Sequence, residues 1–410
     1  MTTQTAMPSM VDAKGQGYDP QRKESRPIRV AMILAGMGRV RRGAEAAFLE
    51  IAKQLARTSD IRPVLFGSGD QGMSDVPTHV ISCRPRERFE RWPRLPALRS
   101  ECYYEELSYT VNLARSGLYR PSDFDVVVSC SYPWINWYLQ WAGRGRENGP
   151  AHIYVTQNGD WPCQARGREF RYFRCDGLVC TNPMYFERNQ TSYRARLIPN
   201  GVDPDVFRPR PPDDAEGSID FRELGIRPEH RVVVMASALI PSKDVAGGVR
   251  SVAQVPEAFL VIAGDGPERA AIAALAAELL PGRHSMLGSI PRDRMPEVFR
   301  KADVFLHMSR DEPSALVYLE AAATGLPVVV HDNSITRWTL GEAAAFVDTA
   351  DVDRVAAQIR TVLDPTRAAD LGASARRRVL DGWTWEFLAS QYREFFIELA
   401  SSERRSTTAP

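Results

Sequence analysis

Short apolar runs, each followed by an amphipathic or irregular stretch, recur twice along this chain of 410 residues. The first series holds the runs 28–34, 64–66, 126–128 and 153–155. The second holds 232–236, 259–263, 304–307 and 328–330, separated by helical patterns over 248–255, 268–279 and 295–302 and followed by one over 352–363. Runs without polar alternation suit strands buried on both faces, which is the condition of a parallel sheet. Parallel neighbours need crossover connections, and helices supply them. Between the two series, residues 199–217 are too rich in Pro, Gly and Asp for regular structure, so they read as a linker.

The expected fold class is therefore α/β, with two doubly wound Rossmann-like domains facing each other across a cleft that receives a ligand at the carboxyl ends of strands. The expected boundaries are an N-terminal domain over 27–205, a C-terminal domain over 206–383 and a final helix over 384–402 that packs back toward the first domain. Residues 1–26 and 403–410 are polar and read as disordered. The final helix carries Trp385, Phe387, Leu388, Tyr392, Phe395, Phe396 and Leu399 at helical spacing, a packing stripe.

Composition excludes several classes of function. With 52 basic and 51 acidic residues the net charge is +1, so no global field favours nucleic acid. The six cysteines form no close C-x-x-C pair for a metal and suit a reducing compartment. No apolar run approaches the roughly 18 residues of a membrane span, and the first residues lack an apolar signal core. A cytoplasmic protein is expected, either free or peripheral on the inner face of the membrane. Lysine occurs only at 14, 23, 53, 243 and 301, which makes Lys243 conspicuous among arginines.

One segment places two carboxylates, Glu312 and Glu320, on a short helix marked at both ends. Pro313 suits a first helical position, Gly325 the left-handed residue after the last turn, and Pro327 blocks continuation. The spacing predicts a helix over 313–324, with residues eight apart about 12 Å apart along its axis. That is about the distance between the two ends of a nucleotide-sugar. The N–H groups of Ser314, Ala315 and Leu316 at its start favour a phosphate. The plainer reading is that Glu312 complements the helix dipole and Glu320 is solvated.

Taken with its surroundings, the segment E-P-S-A-L-V-Y-L-E resembles the paired glutamates of the GT-B glycosyltransferases of the family 4 type, which are retaining and use nucleotide-sugar donors. The resemblance spans residues 28–400. It includes I-P-N-G-V-D at 198–203, A-G-D-G-P-E at 263–268 and L-G-S-I-P-R at 287–292. It implies that Glu312 contacts the donor sugar, Glu320 the ribose, and the N–H groups of Ser314, Ala315, Leu316 and Val317 the diphosphate. It also implies that Gly264 lies in the glycine turn after a strand, and that the loop backbone near Ser289 and Ile290 reads the base.

Lys243 stands where relatives carry a lysine on the diphosphate, and an ammonium there stabilises the charge of the leaving group without a metal. Neither metal nor cofactor is expected. Two departures stand beside it: Ala238 replaces an arginine and Asp244 replaces a glycine. Arg337 and Arg292 are the candidates for the missing charge. A surface loop cation is the plain alternative for Lys243. In the first series, G-R-V-R-R-G-A-E over 38–45 resembles the family's glycine-rich loop, with Gly43 letting backbone approach the donor and Arg39, Arg41 or Arg42 adding charge.

The acceptor end is less sharply written. V-T-Q-N-G-D-W-P over 155–162 holds Asn158 and Asp160 where many relatives place a histidine. Asp160 either orients or deprotonates the acceptor, or is a turn residue. Asn158, Trp134 and Trp137 are acceptor candidates, the tryptophans by stacking on a sugar or an apolar aglycone or else by packing beneath the cleft. Residues 84–99 interleave arginines with Phe89 and Trp92, which fits either an anionic membrane, an acidic acceptor or a solvated loop. His152, His307 and His331 read as structural.

The resulting expectation is a retaining hexosyltransferase-like enzyme that moves a sugar from a UDP-, GDP-, ADP- or dTDP-linked donor to a hydroxyl acceptor. A glycan, a lipid-linked intermediate and a natural product all suit that acceptor. A GT-B epimerase or inverting transferase is the nearest alternative, and a catalytically inactive nucleotide- or sugar-binding subunit is the alternative from another class.

Overall fold

The computed structural model describes residues 26–40, 42–70, 75–96, 98–144, 149–157, 172–209, 223–312 and 316–401. The chain divides into two compact units, one formed by residues up to Asn200 together with those from Trp385 onward, the other by Gly201–Thr384.

The first unit is built on β1 (Ile28–Ile33), α1 (Gly43–Ala56), β2 (Ile61–Gly67), β3 (Thr78–Val80), α2 (Glu101–Ser116), β4 (Val126–Ser129), α3 (Trp134–Ala142), β5 (Ala151–Val155), β6 (Gly177–Cys180), α4 (Pro183–Asn189) and β7 (Ala195–Leu197). Its seven strands lie in the order β3-β2-β1-β4-β5-β6-β7 and pair in parallel throughout. The strand order reverses between β1 and β4. All four residues of β4 and all five of β5 are buried, as the unbroken apolar runs require.

The second unit contains β8 (Arg231–Ala236), α5 (Val245–Ala253), β9 (Ala258–Ala263), α6 (Arg269–Leu279), β10 (His284–Gly288), α7 (Met295–Arg300), β11 (Val304–His307), α8 (Leu316–Ala323), β12 (Val328–His331), α9 (Ser334–Leu340), β13 (Ala345–Val347), α10 (Val352–Val362) and α11 (Pro365–Leu380). The sheet order is β10-β9-β8-β11-β12-β13, again parallel, with the reversal between β8 and β11. Val233, Met235, Leu260, Ile262, Leu306 and Val329 from the strands pack with Val249, Val252 and Ile359 from the helices in one core.

The last helix, α12 (Trp385–Ser401), belongs to the first unit. Trp385, Leu388, Tyr392, Phe395, Phe396 and Leu399 are buried, whereas Phe387 is exposed and does not belong to the packing stripe assigned to it from spacing. Gly177 admits this helix, since a Cβ there would lie 2.6 Å from Leu399 Cδ1 and 2.7 Å from Phe395 Cζ. Arg393 Nε donates to Asp60 at 2.9 Å, and Arg194 Nε to Glu398 at 2.8 Å, fixing the outer face.

Several elements differ from the sequence expectation. Helix α5 begins at Val245 rather than 248, because Asp244 caps it: its carboxylate accepts from Gly247 N–H at 3.1 Å. Helix α2 carries Glu105, Glu106 and Thr110 among its buried residues, and these interrupt the apolar stripe by which it would be recognised. Strands β3 and β7 have three residues each, too short for a periodic signal. Of the expected linker, the described part is anchored, with Val202 N–H donating to Trp383 O at 2.9 Å and Phe207 buried. Residues 210–222, and most of both expected disordered ends, lie outside the described residues.

Helix α8 ends as its sequence predicts. Gly325 has φ of 73°, Leu326 N–H donates to Ala321 O at 3.2 Å and Gly325 N–H to Ala322 O at 3.0 Å, a Schellman closure. Gly372 of α11 packs against this turn, where a Cβ would stand 2.1 Å from the Gly325 carbonyl oxygen. Two effects therefore oppose each other in Gly372→Ala. Helix propensity favours alanine by about 1 kcal/mol, and a backbone clash of this depth destabilises by roughly 2 kcal/mol or more. The variant is expected to unfold at lower urea concentration than the parent; unchanged or raised stability contradicts this packing.

Candidate functional site

In the second unit the loops at the carboxyl ends of β8, β10 and β11 carry the residues singled out from sequence. After β8 the chain makes a single 3-10 turn, Pro241–Lys243, and Asp244 takes the left-handed conformation with φ of 44° and ψ of 44°. This position is the one at which the resembling family has glycine. Aspartate is among the few side-chain residues that visit this region, and here it also caps α5. The departure at 244 is thereby given a local physical reason.

The preceding loop is held by the glycine turn after β9. Gly264 has φ of 150°, and a Cβ on it would lie 1.9 Å from Ser237 O. Gly264 N–H donates to Gly288 O at 2.7 Å, and Leu239 N–H to Asp265 O at 3.0 Å. Gly264 thus locks the ends of β8, β9 and β10 together. Ser289 is exposed and Ile290 half-buried immediately after β10.

These loops bring two cations to two carboxylates. Lys243 Nζ is ion-paired with Glu312, across the reversal between β8 and β11. Arg292, in the turn after β10, lies 2.8 Å from Glu320 Oε1. Glu320 is buried on α8, not solvated. Burial raises its carboxyl above the ordinary range, and the Arg292 guanidinium opposes that rise. Of the two arginines considered for the charge missing at Ala238, Arg292 is the one brought to this helix. Arg337 is held by Asp332 at 2.6 Å and lies over Phe346 at 4.6 Å. Ala238 itself is exposed. Leu316 and Val317 open the described part of α8; Ser314 and Ala315 lie outside the described residues.

The first unit has a cavity of about 470 Å³ at the carboxyl ends of its central strands. Gly36, Gly43 and Glu45 from the glycine-bearing loop and the start of α1 line it, with Glu105 and Glu106 of α2, Tyr132 after β4 and Tyr154 on β5. Glu105 is a hub: Arg39 pairs with Oε1, while Arg86 and Arg42 approach Oε2 at 3.2 and 3.6 Å. Burial opposes ionisation of Glu105, yet its bond from Arg39 and the three guanidinium charges hold its carboxyl below the ordinary range. Glu106 has no such guanidinium neighbour among the described residues. Its Oε1 accepts from Ile135 N–H at 3.1 Å, and burial pushes the carboxyl up to about 7. Glu45 is likewise raised by burial.

The remaining sequence candidates are dispersed. Trp134 and Trp137 sit half-buried on α3, edge to face at 5.5 Å, and neither is among the residues lining the cavity. Asn158 and Asp160 lie outside the described residues; Gln157 just before them forms a paired amide contact with Asn200 at 2.7 and 3.1 Å. His152 is buried against Ser129 Oγ at 2.9 Å, with burial lowering its pKa to about 4. Burial and then the Lys243 charge lower His307 to about 3, and its Nδ1 lies 3.3 Å from Tyr318 OH. His331 Nδ1 lies 3.0 Å from Thr349 Oγ1.

Residues 84–99 are tied down at several points. Phe89 stacks on Tyr104 of α2 at 5.4 Å, and Arg86 and Arg94 pair with Glu105 and Glu101. Among the described residues no helix is long and apolar enough to cross a membrane. Sequence reasoning did not single out Glu105 and Glu106. The available signal was Ser100 before α2 and Gly117, with φ of 64°, after it.

Glu106 generates a pH dependence. An acid whose folded pKa of about 7 exceeds its ordinary 4.5 binds its proton more tightly in the native state. Its contribution to stability is full below about pH 4.5 and is lost as pH rises through about 7. Glu106→Gln keeps the uncharged form at every pH. Between about pH 5 and about pH 8 the stability of Glu106→Gln relative to the parent is expected to rise by a few kcal/mol in urea unfolding. A difference that does not change with pH contradicts the assignment.

Comparison with known proteins places this geometry. Residues 218–378 match the family model described as glycosyl transferases group 1. A stretch of 228 residues, 52% of this chain, is 33% identical to the GDP-mannose-dependent alpha-(1-6)-phosphatidylinositol monomannoside mannosyltransferase of Mycolicibacterium smegmatis and covers 57% of it. The chain spans about half the length of the curated relatives it matches at 30% identity or more over some two hundred residues. Sucrose-phosphate synthase from Thermosynechococcus elongatus superposes with a TM-score of 0.71 at 19% identity, over 92% of this chain and 100% of that one. Anabaena HepE in complex with UDP and glucose gives 0.68 at 16%, over 90% and 100%. At those identities the likeness is one of fold. Residues 218–378 are thus similar to the glycosyl transferases of group 1, and the two parallel-sheet units have the GT-B fold.

Proposed function

We propose that the protein transfers a sugar from a nucleotide-sugar to a hydroxyl acceptor with retention of anomeric configuration and without a metal, and that the second unit holds the donor. The observation that carries this reading is the Lys243–Glu312 ion pair at the strand-order reversal of that unit. In open α/β sheets this reversal is where ligands bind. The pair is made of the two groups the chemistry needs. A diphosphate entering there competes with Glu312 for the ammonium, and the freed carboxylate then accepts hydrogen bonds from donor sugar hydroxyls. As the glycosidic bond to the diphosphate breaks, negative charge grows on the phosphate oxygen, and a preplaced ammonium stabilises it.

Glu320 occupies the other end of the helix and is assigned to the ribose hydroxyls, with Arg292 as the second cation in the absence of an arginine at 238. The N–H groups of Leu316 and Val317 are assigned to the diphosphate, and the backbone near Ser289 and Ile290 to the base. Gly264 is assigned to shaping these loops. GDP-mannose is the leading donor, supported by the relative named above as GDP-mannose-dependent.

A thermal-shift screen of the full chain with GDP, UDP, ADP and dTDP tests the proposal. A ligand at 100 times its dissociation constant adds about 2.7 kcal/mol of stability. At least one nucleotide is expected to do so, GDP foremost, and Lys243→Ala and Glu320→Ala are each expected to lose most of the shift. Failure of all four nucleotides to shift the parent, or shifts unaltered in both variants, overturns the donor site. Nucleotide binding without sugar transfer to any acceptor instead identifies a binding subunit.

A further inference from the structure

Between β8 and α5 the chain runs through residues 239–244, and the two ends of that stretch are fixed by different parts of the fold. Leu239 N–H donates to Asp265 O at 3.0 Å, and Glu268 N–H donates to Leu239 O at 3.0 Å. At the other end Asp244 caps α5. Lys243 lies between these anchors, in the 3-10 turn Pro241–Lys243. Its ammonium sits on a flexible four-carbon stem, so it is placed only as well as the backbone that carries it.

A buried hydroxyl reaches this turn from the neighbouring strand. Ser309 Oγ, just beyond β11, donates to Ser242 O at 3.1 Å. Ser309 is 2% exposed, and the chain around it fixes its position. Ser309 N–H donates to His307 Nδ1 at 3.3 Å, and Tyr318 OH of α8 lies 3.3 Å from the same nitrogen. From beyond β13, the Thr349 hydroxyl donates to Met308 O at 2.9 Å. Thr349 and Tyr318 are themselves buried.

The residues on either side give this bond a consequence beyond pairing one buried oxygen. Lys243 follows Ser242 directly, and Glu312 follows Ser309 by three residues. The hydroxyl therefore ties the backbone of the cation to the backbone of its carboxylate partner, across the strand-order reversal between β8 and β11. Ser242 is exposed. Without the hydroxyl, water can satisfy its carbonyl and the fold persists, but the tie to β11 is lost.

We propose that Ser309 is a positioning residue for the donor site. It touches no substrate; it holds the turn of Lys243 so that the ammonium passes from Glu312 to the phosphate that bears the leaving oxygen. This role rests on the donor reading given above. In that reading Lys243 serves that phosphate, while Glu320 and the backbone near Ser289 and Ile290 serve the nucleoside. The effect of Ser309 therefore falls on nucleoside diphosphates and spares monophosphates.

The test is calorimetric titration of the full-length protein with GDP, UDP, ADP and dTDP, with the corresponding monophosphates measured by displacement. For the base bound best, Ser309→Ala is expected to raise the Kd of the diphosphate about five- to tenfold. The monophosphate is expected to stay within about twofold of the parent, on the same scale. In a Lys243→Ala background the added Ser309→Ala is expected to change the diphosphate Kd by less than about twofold, because a tether has no effect once the group it positions is gone. If Ser309→Ala does not fold, Ser309→Cys decides: its thiol is a weak donor, and a loss of about threefold is expected for the diphosphate alone. The role is overturned if the folded variant binds diphosphate like the parent, if both ligands weaken equally, or if the losses at 309 and 243 multiply in the double variant. A parent that binds none of the four diphosphates overturns the donor reading and the role of Ser309 together. Binding that Lys243→Ala weakens and the folded variants at 309 leave unaltered overturns the role of Ser309 and leaves the donor reading standing.

Discussion

Two ion pairs on one short stretch of chain organise the second unit: Lys243 with Glu312, and Arg292 with Glu320. Each cation arrives on a loop from a different strand, and each carboxylate flanks or belongs to α8. The arrangement depends on strand order. Because the sheet winds outward in both directions from β8 and β11, the loops at their carboxyl ends diverge and leave space between them. Lys243 and Glu312 meet across that reversal. A partly buried ion pair contributes little to stability once desolvation is counted; in the proposed reaction these pairs are preplaced charges that a ligand takes over.

Backbone geometry holds the charges where they are. Gly264 lets the turn after β9 lie against Ser237, Asp244 turns the chain through the left-handed region directly after Lys243, and Gly325 closes α8. Each removes freedom from a loop that carries a charged group. In the proposed transfer such preorganisation would make a fixed ammonium useful, because little rearrangement is needed as charge develops on a leaving group.

Much of this was legible from the residues. Most of the buried strands of both sheets announced themselves as apolar runs, whereas β6 and β13, at four and three residues, did not, and the C-terminus of α8 was specified by Gly325 and Pro327. The helix α2 was not legible, since its inner face presents Glu105, Glu106 and Thr110 and so breaks the apolar period; those carboxylates are buried because a cavity and an arginine cluster receive them. The pairing of Arg292 with Glu320 was equally hidden. Position 292 lies far along the chain from 320, and nothing in a linear pattern distinguishes it from Arg337, which the fold instead sends to Asp332. Asp244 was read as a departure from glycine, and only its backbone angles show that it occupies the left-handed region that glycine enters most readily.

The two units thus offer different arrangements at equivalent places in their sheets: two separate cation–carboxylate pairs in the second, a cavity beside an arginine cluster on Glu105 in the first. The central claim is that the nucleotide part of the donor occupies the strand-order reversal of the second unit. Hydrogen–deuterium exchange of the full chain with and without a saturating nucleoside diphosphate tests it most directly. The account predicts slowed exchange over 237–245, 288–292 and 316–320. Slowed exchange confined to the first unit, over 34–45 and 101–106, would contradict it.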